Sequence, residues 1–342
     1  MEPVVGIVVI GRNEGARLRA CFDSLRNSNL SIVYVDSGSN DGSDALARDF
    51  GADVVDLDPS RPFTAARARN EGVARLREQL PDLDFIQFVD GDCTIEPGWL
   101  ETAATTLTGD PSIAVVCGRR REHFPERSIY NRLCDMEWNT SIGEAAACGG
   151  DAMMRAATFI TSGGFRDDLI AGEEPELCFR LRAAGGRVVR LDHDMTRHDA
   201  TMTRFGQWWR RAKRAGHAAA EGYALHGDSP ERFNRRAVFS ILFWGAVLPI
   251  IAMLLALTVT PWALVLLLGY PALFWRIYRY RRSRGDLSGN AAVYAAFTVI
   301  GKFAELTGIL HYWSGCLRNR NPEPIEYKTR FTDRPPSPPK GH

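Results

Sequence analysis

Short apolar runs alternate with segments of helical spacing over the first 110 residues of the chain. The runs cover residues 4–10, 32–35, 53–57 and 84–89, and the helical segments include residues 14–25 and 64–80. Strands that alternate with helices are typical of a parallel, doubly wound sheet. We therefore expect an α/β fold, in which ligands bind at the carboxyl ends of the strands. Residues 113–200 are less regular and are interpreted as a second half built onto the same sheet.

An acidic turn follows the fourth of these runs. The apolar residues 85–89 lead directly into Asp90-Gly91-Asp92, so a strand delivers two carboxylates to its carboxyl end. Such carboxylates are natural ligands of a hard divalent cation, which proteins hold together with substrate phosphates. The triplet alone is a weak signal, because Asp-x-Asp also occurs at residues 56–58, 82–84 and 192–194. The strand that precedes Asp90-Gly91-Asp92 makes this triplet a stronger metal-site candidate.

Composition excludes some classes of protein. The 342 residues carry a formal net charge of +1, whereas a nucleic-acid binder normally has a clear basic excess. None of the seven cysteines forms a Cys-x-x-Cys pair, which favours a reducing compartment over a disulfide scaffold. The N-terminus leads directly into the first strand, and we expect no signal peptide.

A long uncharged stretch predicts membrane helices. Residues 237–275 contain no charged side chain. As one helix they would span ~58 Å, about twice the ~30 Å hydrocarbon core. The sequence Thr258-Val259-Thr260-Pro261 offers a break, so we expect a helical hairpin with spans at 237–258 and 261–278. Arginines flank both ends of the hairpin, which places both ends on the cytoplasmic side. A buried helical pair in a soluble domain is the alternative.

A further apolar segment, residues 291–313, is interrupted by Lys302 and Glu305, which can pair on one helix face. A third crossing would carry Arg318, Arg320, Lys328 and Arg330 to the outside, against the positive-inside bias. We therefore favour an interfacial or re-entrant helix over a membrane span. The proline-rich tail after Arg330 is predicted to be disordered.

An ordered set of motifs resembles a known family. The segments, in chain order, are Gly11-Arg12-Asn13-Glu14, Val35-Asp36-Ser37-Gly38-Ser39-Asn40-Asp41-Gly42-Ser43, Ala68-Arg69-Asn70-Glu71-Gly72 and Val89-Asp90-Gly91-Asp92. Together they resemble the family 2 inverting glycosyltransferases with a GT-A fold, of the membrane-associated bacterial type. Downstream, residues 149–155, 163–165, 173–177 and 180–181 resemble the acceptor-side motifs of that family. The resemblance covers roughly residues 4–200.

The resemblance implies a nucleotide-sugar site in which Asp36 contacts the nucleobase. The residues implied to bind the nucleotide are Gly11, Asn13, Glu14, Asp36, Ser39, Arg67, Arg69, Asn70 and Asp90. Local chemistry offers a plainer interpretation of two of them. Asp36 is also an ordinary turn residue before a helix, and Arg67 fits a solvated helix face.

The resemblance also implies a divalent cation, Mn²⁺ or Mg²⁺, held by Asp92, Asp90 and His198. Asp92 is the expected direct ligand, and Asp90 contacts ribose or metal-bound water. A neutral imidazole suits Mn²⁺ better than Mg²⁺. His193 competes with His198 for this role, and a surface histidine is the alternative for either.

The acidic segment Glu173-Glu174-Pro175-Glu176-Leu177 resembles the family pattern Glu-Asp-x-Asp/Glu-Leu, with glutamate at the position of the base. An inverting transferase needs a carboxylate that takes the proton of the acceptor hydroxyl. We expect Glu174 to be this base, with Glu173 as the other possibility. Acids flanking a proline are also typical of a helix start.

On the acceptor side the resemblance points to Gly150, Asp151, Trp208 and Arg210. The segment Gln207-Trp208-Trp209-Arg210-Arg211 resembles the Gln-x-x-Arg-Trp motif of processive polysaccharide synthases, but Arg211 replaces the tryptophan. A basic amphipathic helix at a membrane surface is the other interpretation of this segment.

These expectations combine into one hypothesis. The chain is expected to move a sugar from a UDP- or GDP-linked donor to a lipid-linked or polysaccharide acceptor, at the cytoplasmic face of a bacterial inner membrane. The expected domains are a GT-A domain at 1–200 (nucleotide half 1–110, acceptor half 111–200), basic interface helices at 201–236, a membrane region at 237–315 and a cytoplasmic tail at 316–342. A non-catalytic scaffold is one alternative. A haloacid-dehalogenase-like phosphatase is another, since Asp90-Gly91-Asp92-Cys93-Thr94 fits the Asp-x-Asp-x-Thr pattern.

Overall fold

The computed structural model describes residues 2–318. The strands are β1 (Val5–Gly11), β2 (Ser31–Asp36), β3 (Asp53–Asp56), β4 (Phe85–Asp90), β5 (Cys93–Ile95), β6 (Ile113–Glu122), β7 (Gly143–Glu144), β8 (Ala152–Arg155) and β9 (Arg187–His198). The helices of the sheet region are α1 (Ala16–Leu25), α2 (Ser43–Phe50), α3 (Ala65–Gln79), α4 (Trp99–Gly109), α5 (Ile129–Trp138), α6 (Ala156–Thr161) and α7 (Glu173–Ala183). The tail that was predicted to be disordered lies outside the described residues.

Eight of these strands form one mixed sheet in the order β3-β2-β1-β4-β8-β6-β9-β5, and β7 pairs with β9 at its side. Strands β1, β2, β3 and β4 pair with one another in parallel, and β6 is parallel to β9. Strand β8 runs antiparallel to both β4 and β6 and joins the two halves. The prediction of an α/β fold with a mostly parallel sheet is confirmed.

The register of the parallel strands brings three loops to one edge of the sheet. Gly11 at the end of β1 lies opposite Asp36 at the end of β2, and Ile10 lies opposite Asp90 at the end of β4. Helix α3 packs closely over these strands at Gly72, where a Cβ atom would overlap the side chain of Val8. The tight packing fixes the motif-bearing loops relative to one another.

Strand β9 is longer than the sequence indicates. The apolar residues Val188, Val189 and Leu191 lie in its first half, but the strand continues to His198. Residues 192–194 are polar, and cross-strand pairing with β6 and β5 overrides their weak strand propensity. The extension matters because it places His198 opposite Cys93, directly beside Asp92.

After the sheet, a long helix α8 (Phe205–His226) leads to an apolar hairpin. Its first arm, Arg235–Thr258, consists of α9 (Arg235–Leu242), a π-helical turn (Phe243–Val247) and α10 (Leu248–Thr258). Its second arm, Pro261–Ser283, begins as a 3₁₀-helix and continues as α11 (Gly269–Ser283).

The hairpin breaks where the sequence predicts it, and both arms are long and apolar enough to cross a membrane. Large apolar side chains at its tip lack protein cover, since Leu257 is 78% exposed and Trp262 is 84% exposed. The structure therefore does not bury these side chains within the described residues, and the placement of the hairpin in a membrane stays a prediction.

The last described helix, α12 (Ser288–Leu317), is a single continuous helix of 30 residues that also meets the length and composition of a span. Lys302 and Glu305 form the expected ion pair, with Nζ 2.8 Å from Oε2. Helix α12 packs along α8 with almost no space between the backbones. A Cβ atom on Gly216 would overlap the carbonyl oxygen of Glu305, and one on Gly308 would overlap that of Lys213. The interfacial or re-entrant placement of α12 stays a prediction.

Candidate functional site

A cleft of about 1130 Å³ opens at the carboxyl ends of β1, β2 and β4. Its wall includes the strand-end loops, the start of α3, part of α5, the start of α7, and the facing sides of α8 and α12. Residues that represent these parts are Gly11, Asn13, Asp90, Asp92, Glu173, Glu174, Trp208 and Phe297. The cleft is continuous, so it connects the sheet edge with the apolar helices.

The first part of the wall rests on a hydrogen-bonded loop pair. Asp36 accepts hydrogen bonds from the Ser39 backbone N–H (2.6 Å), the Ser39 hydroxyl (2.5 Å) and the Tyr34 hydroxyl (3.1 Å). The Ser39 hydroxyl in turn accepts from the Asn13 N–H, and the Asn13 side chain accepts from the Asn40 N–H. Asp36 is buried, and neither it nor Ser39 lines the cleft. The structure therefore gives Asp36 the role of a loop anchor below the predicted nucleobase position.

Gly11, Asn13 and Glu14 do line the cleft, together with two residues not predicted from the sequence. The Arg12 guanidinium stacks over the Phe63 ring at 5.5 Å from its centroid. This pair offers a flat aromatic surface and a positive charge at the mouth of the nucleotide half.

Helix α3 turns its predicted nucleotide-binding residues in different directions. Arg67 is buried and donates to the backbone carbonyls of Asp58 (2.9 Å) and Arg61 (3.1 Å), so it closes the loop before the helix. Asn70 donates to the carbonyl of Phe165 at 2.7 Å and fixes a second loop. Neither Arg67 nor Asn70 lines the cleft. Arg69 does line it, because it lies on the face of α3 turned towards β4.

Arg69 joins two motifs that are far apart in the sequence. Its Nη2 lies 2.7 Å from Asp90 Oδ1, and its Nη1 lies 2.9 Å from Glu173 Oε1. Burial alone would lower the pKa of the Arg69 guanidinium, but the two carboxylates outweigh burial and raise that pKa. Arg69 is therefore a permanent positive charge between the acidic turn and the start of α7.

A second buried arginine stands on the other side of Asp90. Arg120 Nη2 lies 2.7 Å from Asp151 Oδ2 and 3.4 Å from Asp90 Oδ2. Asp151 is fully buried and also accepts from the Asp90 backbone N–H at 2.9 Å and from the Thr196 hydroxyl at 2.8 Å. Asp151 therefore supports Asp90 from below and does not line the cleft, although the resemblance placed it on the acceptor side.

Gly150 is enclosed by this charge network. A Cβ atom there would lie 2.8 Å from both Arg69 Nη2 and Asp90 Oδ2. A glycine is required at this position because the backbone passes directly against the ion pair.

Asp92 and His198 form the group best suited to a divalent cation. Asp92 Oδ2 lies 3.2 Å from His198 Nε2, both side chains are buried, and the Cys93 sulfur is within 4.8 Å of these ligand atoms. An ion with ~2.1 Å bonds holds neighbouring ligand atoms ~3 Å apart, which matches the observed spacing. Asp90 faces the two arginines instead, so Asp92 and His198 fit a metal better than Asp90 does.

His193, the competing histidine, lies elsewhere. Its Nδ1 is 2.6 Å from the backbone carbonyl of Asp194, and its ring packs beside Trp99. It does not line the cleft. The His198 ring instead packs edge-on against Trp138, with ring centroids 5.0 Å apart.

Both glutamates at the start of α7 line the cleft. Helix α7 begins after Gly172, whose φ of 81° is readily adopted only by glycine. Glu174 Oε1 accepts a hydrogen bond from the Cys148 backbone N–H at 2.5 Å and lies 3.6 Å from the Cys178 sulfur. Glu173 holds Arg69, so the two adjacent carboxylates have distinct surroundings.

The acceptor side of the cleft is aromatic and partly charged. Trp208 packs edge-on against Phe297 of α12, with ring centroids 4.8 Å apart. Arg211 Nη1 lies 2.6 Å from Glu137 Oε2. Like Trp208 and Phe297, both of these residues line the cleft. Arg210 is on the exposed face of α8 and does not line the cleft, contrary to the expectation from the motif.

Several site residues could not be found from the sequence. Arg120 is the middle residue of Arg119-Arg120-Arg121 in β6. The sequence does not show which of the three arginines faces the acidic turn, because this depends on the pairing of β6 with β9. Tyr294 and Glu305 line the cleft from α12, a helix to which no site residue was assigned from the sequence. A charged pair inside an apolar helix was the available signal for Glu305.

Comparison with known proteins agrees with this geometry. Residues 6–159 match the family model described as Glycosyl transferase family 2. The succinoglycan biosynthesis protein ExoA of Rhizobium meliloti is 26% identical over 305 residues, which cover 84% of this chain and 90% of the relative. The glycosyltransferase AglE of Haloferax volcanii is 23% identical over 255 residues, covering 71% of this chain and 80% of the relative.

The pre-mycofactocin glycosyltransferase of Mycobacterium tuberculosis is 28% identical over 238 residues, or 66% of this chain. The match spans only 48% of that longer relative. Among solved structures, the mannosyltransferase PcManGT from Pyrobaculum calidifontis, in complex with GDP-Man and Mn²⁺, superposes with a TM-score of 0.53 at 19% identity. The superposition covers 93% of this chain and 87% of that protein, and it shows a shared fold.

Proposed function

Because the chain belongs to glycosyl transferase family 2, we propose that this glycosyltransferase is metal-dependent and inverting, and that it uses a UDP- or GDP-linked sugar. The acceptor is a lipid-linked or growing glycan at the cytoplasmic face of the membrane. The single observation that carries the proposal is the cleft itself. It brings Asp92, Arg69 and Glu174 to one wall and then continues between α8 and α12.

The donor nucleotide occupies the half of the cleft near β1 and β2. Arg12 and Phe63 stand at its mouth, and the Asn13–Ser39 hydrogen bond holds the loops in place. Arg69 lies deeper, where a positive charge favours the diphosphate. The solved protein of the same fold, PcManGT, holds GDP-Man and Mn²⁺, which supports a nucleotide sugar as the donor class.

The metal-binding residues in this proposal are Asp92 and His198. Their ligand atoms are 3.2 Å apart, and the pairing of carboxylate with imidazole favours Mn²⁺ over Mg²⁺. When bound, the ion supplies Lewis-acid stabilisation of the charge on the leaving nucleoside diphosphate. Arg120 and Asp151 keep the acidic turn in position, because Asp151 accepts the Asp90 N–H.

The proton of the acceptor hydroxyl passes to Glu174. This carboxylate lies at the start of α7 in the cleft wall, where an acceptor arriving from α8 and α12 would meet it. The Cys148 N–H orients one of its oxygens. Glu173 acts differently, since it fixes Arg69 and through Arg69 the acidic turn.

The acceptor class follows from the second half of the cleft. Trp208, Phe297 and Tyr294 form an aromatic wall that leads to the three candidate membrane helices. A lipid-linked acceptor can enter along this wall with its polar head directed at Glu174. The relative ExoA, a succinoglycan biosynthesis protein, supports a glycan as the acceptor class.

The test uses the full chain in detergent or nanodiscs and combines a panel of UDP- and GDP-sugars with lipid-linked and glycan acceptors in the presence of Mn²⁺. Release of nucleoside diphosphate is the readout. We expect one donor to be turned over, excess EDTA to stop the reaction and Asp92→Asn to do the same. Asp82→Asn is the matched control, because Asp82 belongs to another Asp-x-Asp triplet and is exposed.

Full activity in excess EDTA would overturn the metal dependence. Tight nucleotide binding without turnover of any donor and acceptor combination would favour the non-catalytic scaffold. If Asp92→Asn keeps its activity and still requires Mn²⁺, Asp92 is not a ligand of the metal.

A further inference from the structure

A second pocket, of about 520 Å³, lies between β6, β9 and the end of α11. Four arginines line it: Arg119 and Arg121 from β6, Arg190 from β9 and Arg284 just after α11. The two aspartates of its wall are Asp192 and Asp194. The pocket shares no lining residue with the catalytic cleft, and its lining carries more arginines than carboxylates.

Three of these arginines have partners in the protein. Arg119 pairs with Asp135 at 3.2 Å, and Arg121 pairs with Asp194 at 2.7 Å. Arg284 donates to the Asn139 carbonyl at 2.9 Å and to the Ser141 hydroxyl at 3.0 Å, which fixes the end of α11 to the loop before β7.

Arg190 is the exception. It is only 4% exposed, yet within residues 2–318 its side chain makes no hydrogen bond or ion pair, and its buried Nε has no acceptor. Burial lowers the pKa of its guanidinium, and Arg119 and Arg284 lower this pKa further. Cys117 and Asp192 act in the opposite direction and do not offset the decrease. A buried charge without a partner is costly, so an acceptor from outside the chain is the natural complement.

We propose that this pocket is an anion site in which Arg190, with Arg119 and Arg284, binds a phosphate group. A guanidinium presents a planar fork of N–H donors that matches the oxygens of phosphate. The volume suffices for a phosphate carrying a further organic group. The proposal does not depend on the transferase reaction.

The position of Arg284 leaves two sources of phosphate. Arg284 directly follows the second arm of the hairpin, Pro261–Ser283, so the pocket lies beside the end of a candidate membrane span. A lipid headgroup can therefore reach it from the membrane, and a soluble phosphate compound can reach it from the aqueous side.

The test measures thermal unfolding of the full chain in an uncharged detergent with EDTA and without nucleotide. Inorganic phosphate is the probe, and ionic strength is held constant with sodium chloride. We expect a saturable rise in melting temperature. Arg190→Gln should weaken the apparent affinity at least ~10-fold, because one charge-assisted hydrogen-bonding group is lost. Arg26→Gln is the control, since Arg26 directly follows α1, is exposed and does not line the pocket.

A second arm compares nanodiscs of phosphatidylcholine with nanodiscs of phosphatidylglycerol. If the headgroup is the source, phosphatidylglycerol will stabilise wild type over Arg190→Gln and abolish the effect of added phosphate. If a soluble compound is the source, the phosphate shift will be equal in both lipids. The absence of any shift with phosphate or phosphatidylglycerol would overturn the proposal, as would an unchanged shift in Arg190→Gln.

If Arg190→Gln fails to fold, the wild-type protein is tested instead. Its arginines are modified with phenylglyoxal, and the modified residues are identified by mass spectrometry. Phosphate or phosphatidylglycerol should protect Arg190 and leave Arg26 reactive, and equal reactivity of Arg190 in all conditions would refute the site. Because donor and metal are absent, failure here leaves the proposed transferase function untouched.

Discussion

Replacing Glu174 by glutamine should stop sugar transfer and leave donor binding intact. In the structure one Glu174 oxygen accepts the Cys148 N–H at 2.5 Å. A glutamine amide oxygen can accept the same hydrogen bond, so the start of α7 should keep its conformation. The amide cannot take the proton of the acceptor hydroxyl. General-base assistance is typically worth ~10²–10⁴-fold, and we expect kcat to fall by at least this factor.

Glu173→Gln is the matched comparison, because it makes the same chemical change one residue earlier. Glu173 pairs with Arg69 at 2.9 Å, and the side chain of Arg69 is 3% exposed. Converting this charge-assisted bond to a neutral one costs about 1–2 kcal/mol, a factor of roughly 5–30. The loss should appear mainly in the KM for the donor, because Arg69 also holds Asp90.

The assay measures transfer and binding separately. Initial rates of nucleoside diphosphate release give kcat and KM, and calorimetric titration with the nucleoside diphosphate and Mn²⁺ gives donor-site affinity. Wild type and both variants are compared at equal folded fraction, checked by thermal unfolding.

Two results would refute the reasoning. If the variants exchange behaviour, the base is Glu173 and the alignment of the acidic motif is wrong by one residue. If both keep near-normal rates and still bind nucleotide, the start of α7 does not take part in proton transfer.

Three further predictions concern other parts of the molecule. Gly150→Ala should lower kcat/KM by about 10²-fold, because the new Cβ atom forces apart the Arg69–Asp90 pair, whereas Gly109→Ala, where nothing lies within 4 Å, should be neutral. A reporter fused near Asp286 should score as cytoplasmic, and a periplasmic signal would contradict the hairpin topology. Burial raises the pKa of Glu221 from 4.5 to about 7, so the folded protein retains a proton that the unfolded chain has lost between these values, and this group's contribution to stability falls as pH rises through this window. Glu221→Gln should therefore raise the melting temperature relative to wild type at pH 8 and leave it unchanged at pH 4.

The sequence predicted the parallel half of the sheet because each strand there has a local signal. Residues 4–10 and 84–89 are apolar, and each ends at a polar turn. The register that aligns Ile10 with Asp90 then follows from the parallel pairing. Strand β9 had no such signal beyond residue 191, since pairing with distant strands determines its second half.

Motif membership predicted which residues lie near the site, but it did not predict the direction of each side chain. Arg67, Arg69 and Asn70 share one helical segment, yet only Arg69 lines the cleft. Successive helical residues point about 100° apart, so Arg67 and Asn70, three positions apart, lie close to one face of α3 and Arg69 lies on another. Which of them faces β4 depends on how α3 sits on the sheet, and this is a tertiary property.

The sequence also did not predict that α12 lines the cleft, because this depends on a contact between two distant helices. Gly216 and Gly308 let α8 and α12 approach until backbone meets backbone, and a lone glycine in a helical pattern carries no information about its partner. This contact extends the cleft from Trp208 to Phe297 and Glu305. It also fixes the membrane region to the catalytic half through α8, which bears the basic residues. Under the proposed function, the α8–α12 contact and not the hairpin borders the acceptor half of the cleft, because Phe297 and Glu305 of α12 line the cleft. The proposed inverting reaction needs donor and acceptor on opposite sides of the anomeric carbon, so a nucleotide bound at the strand ends would leave the α8–α12 half of the cleft to the acceptor.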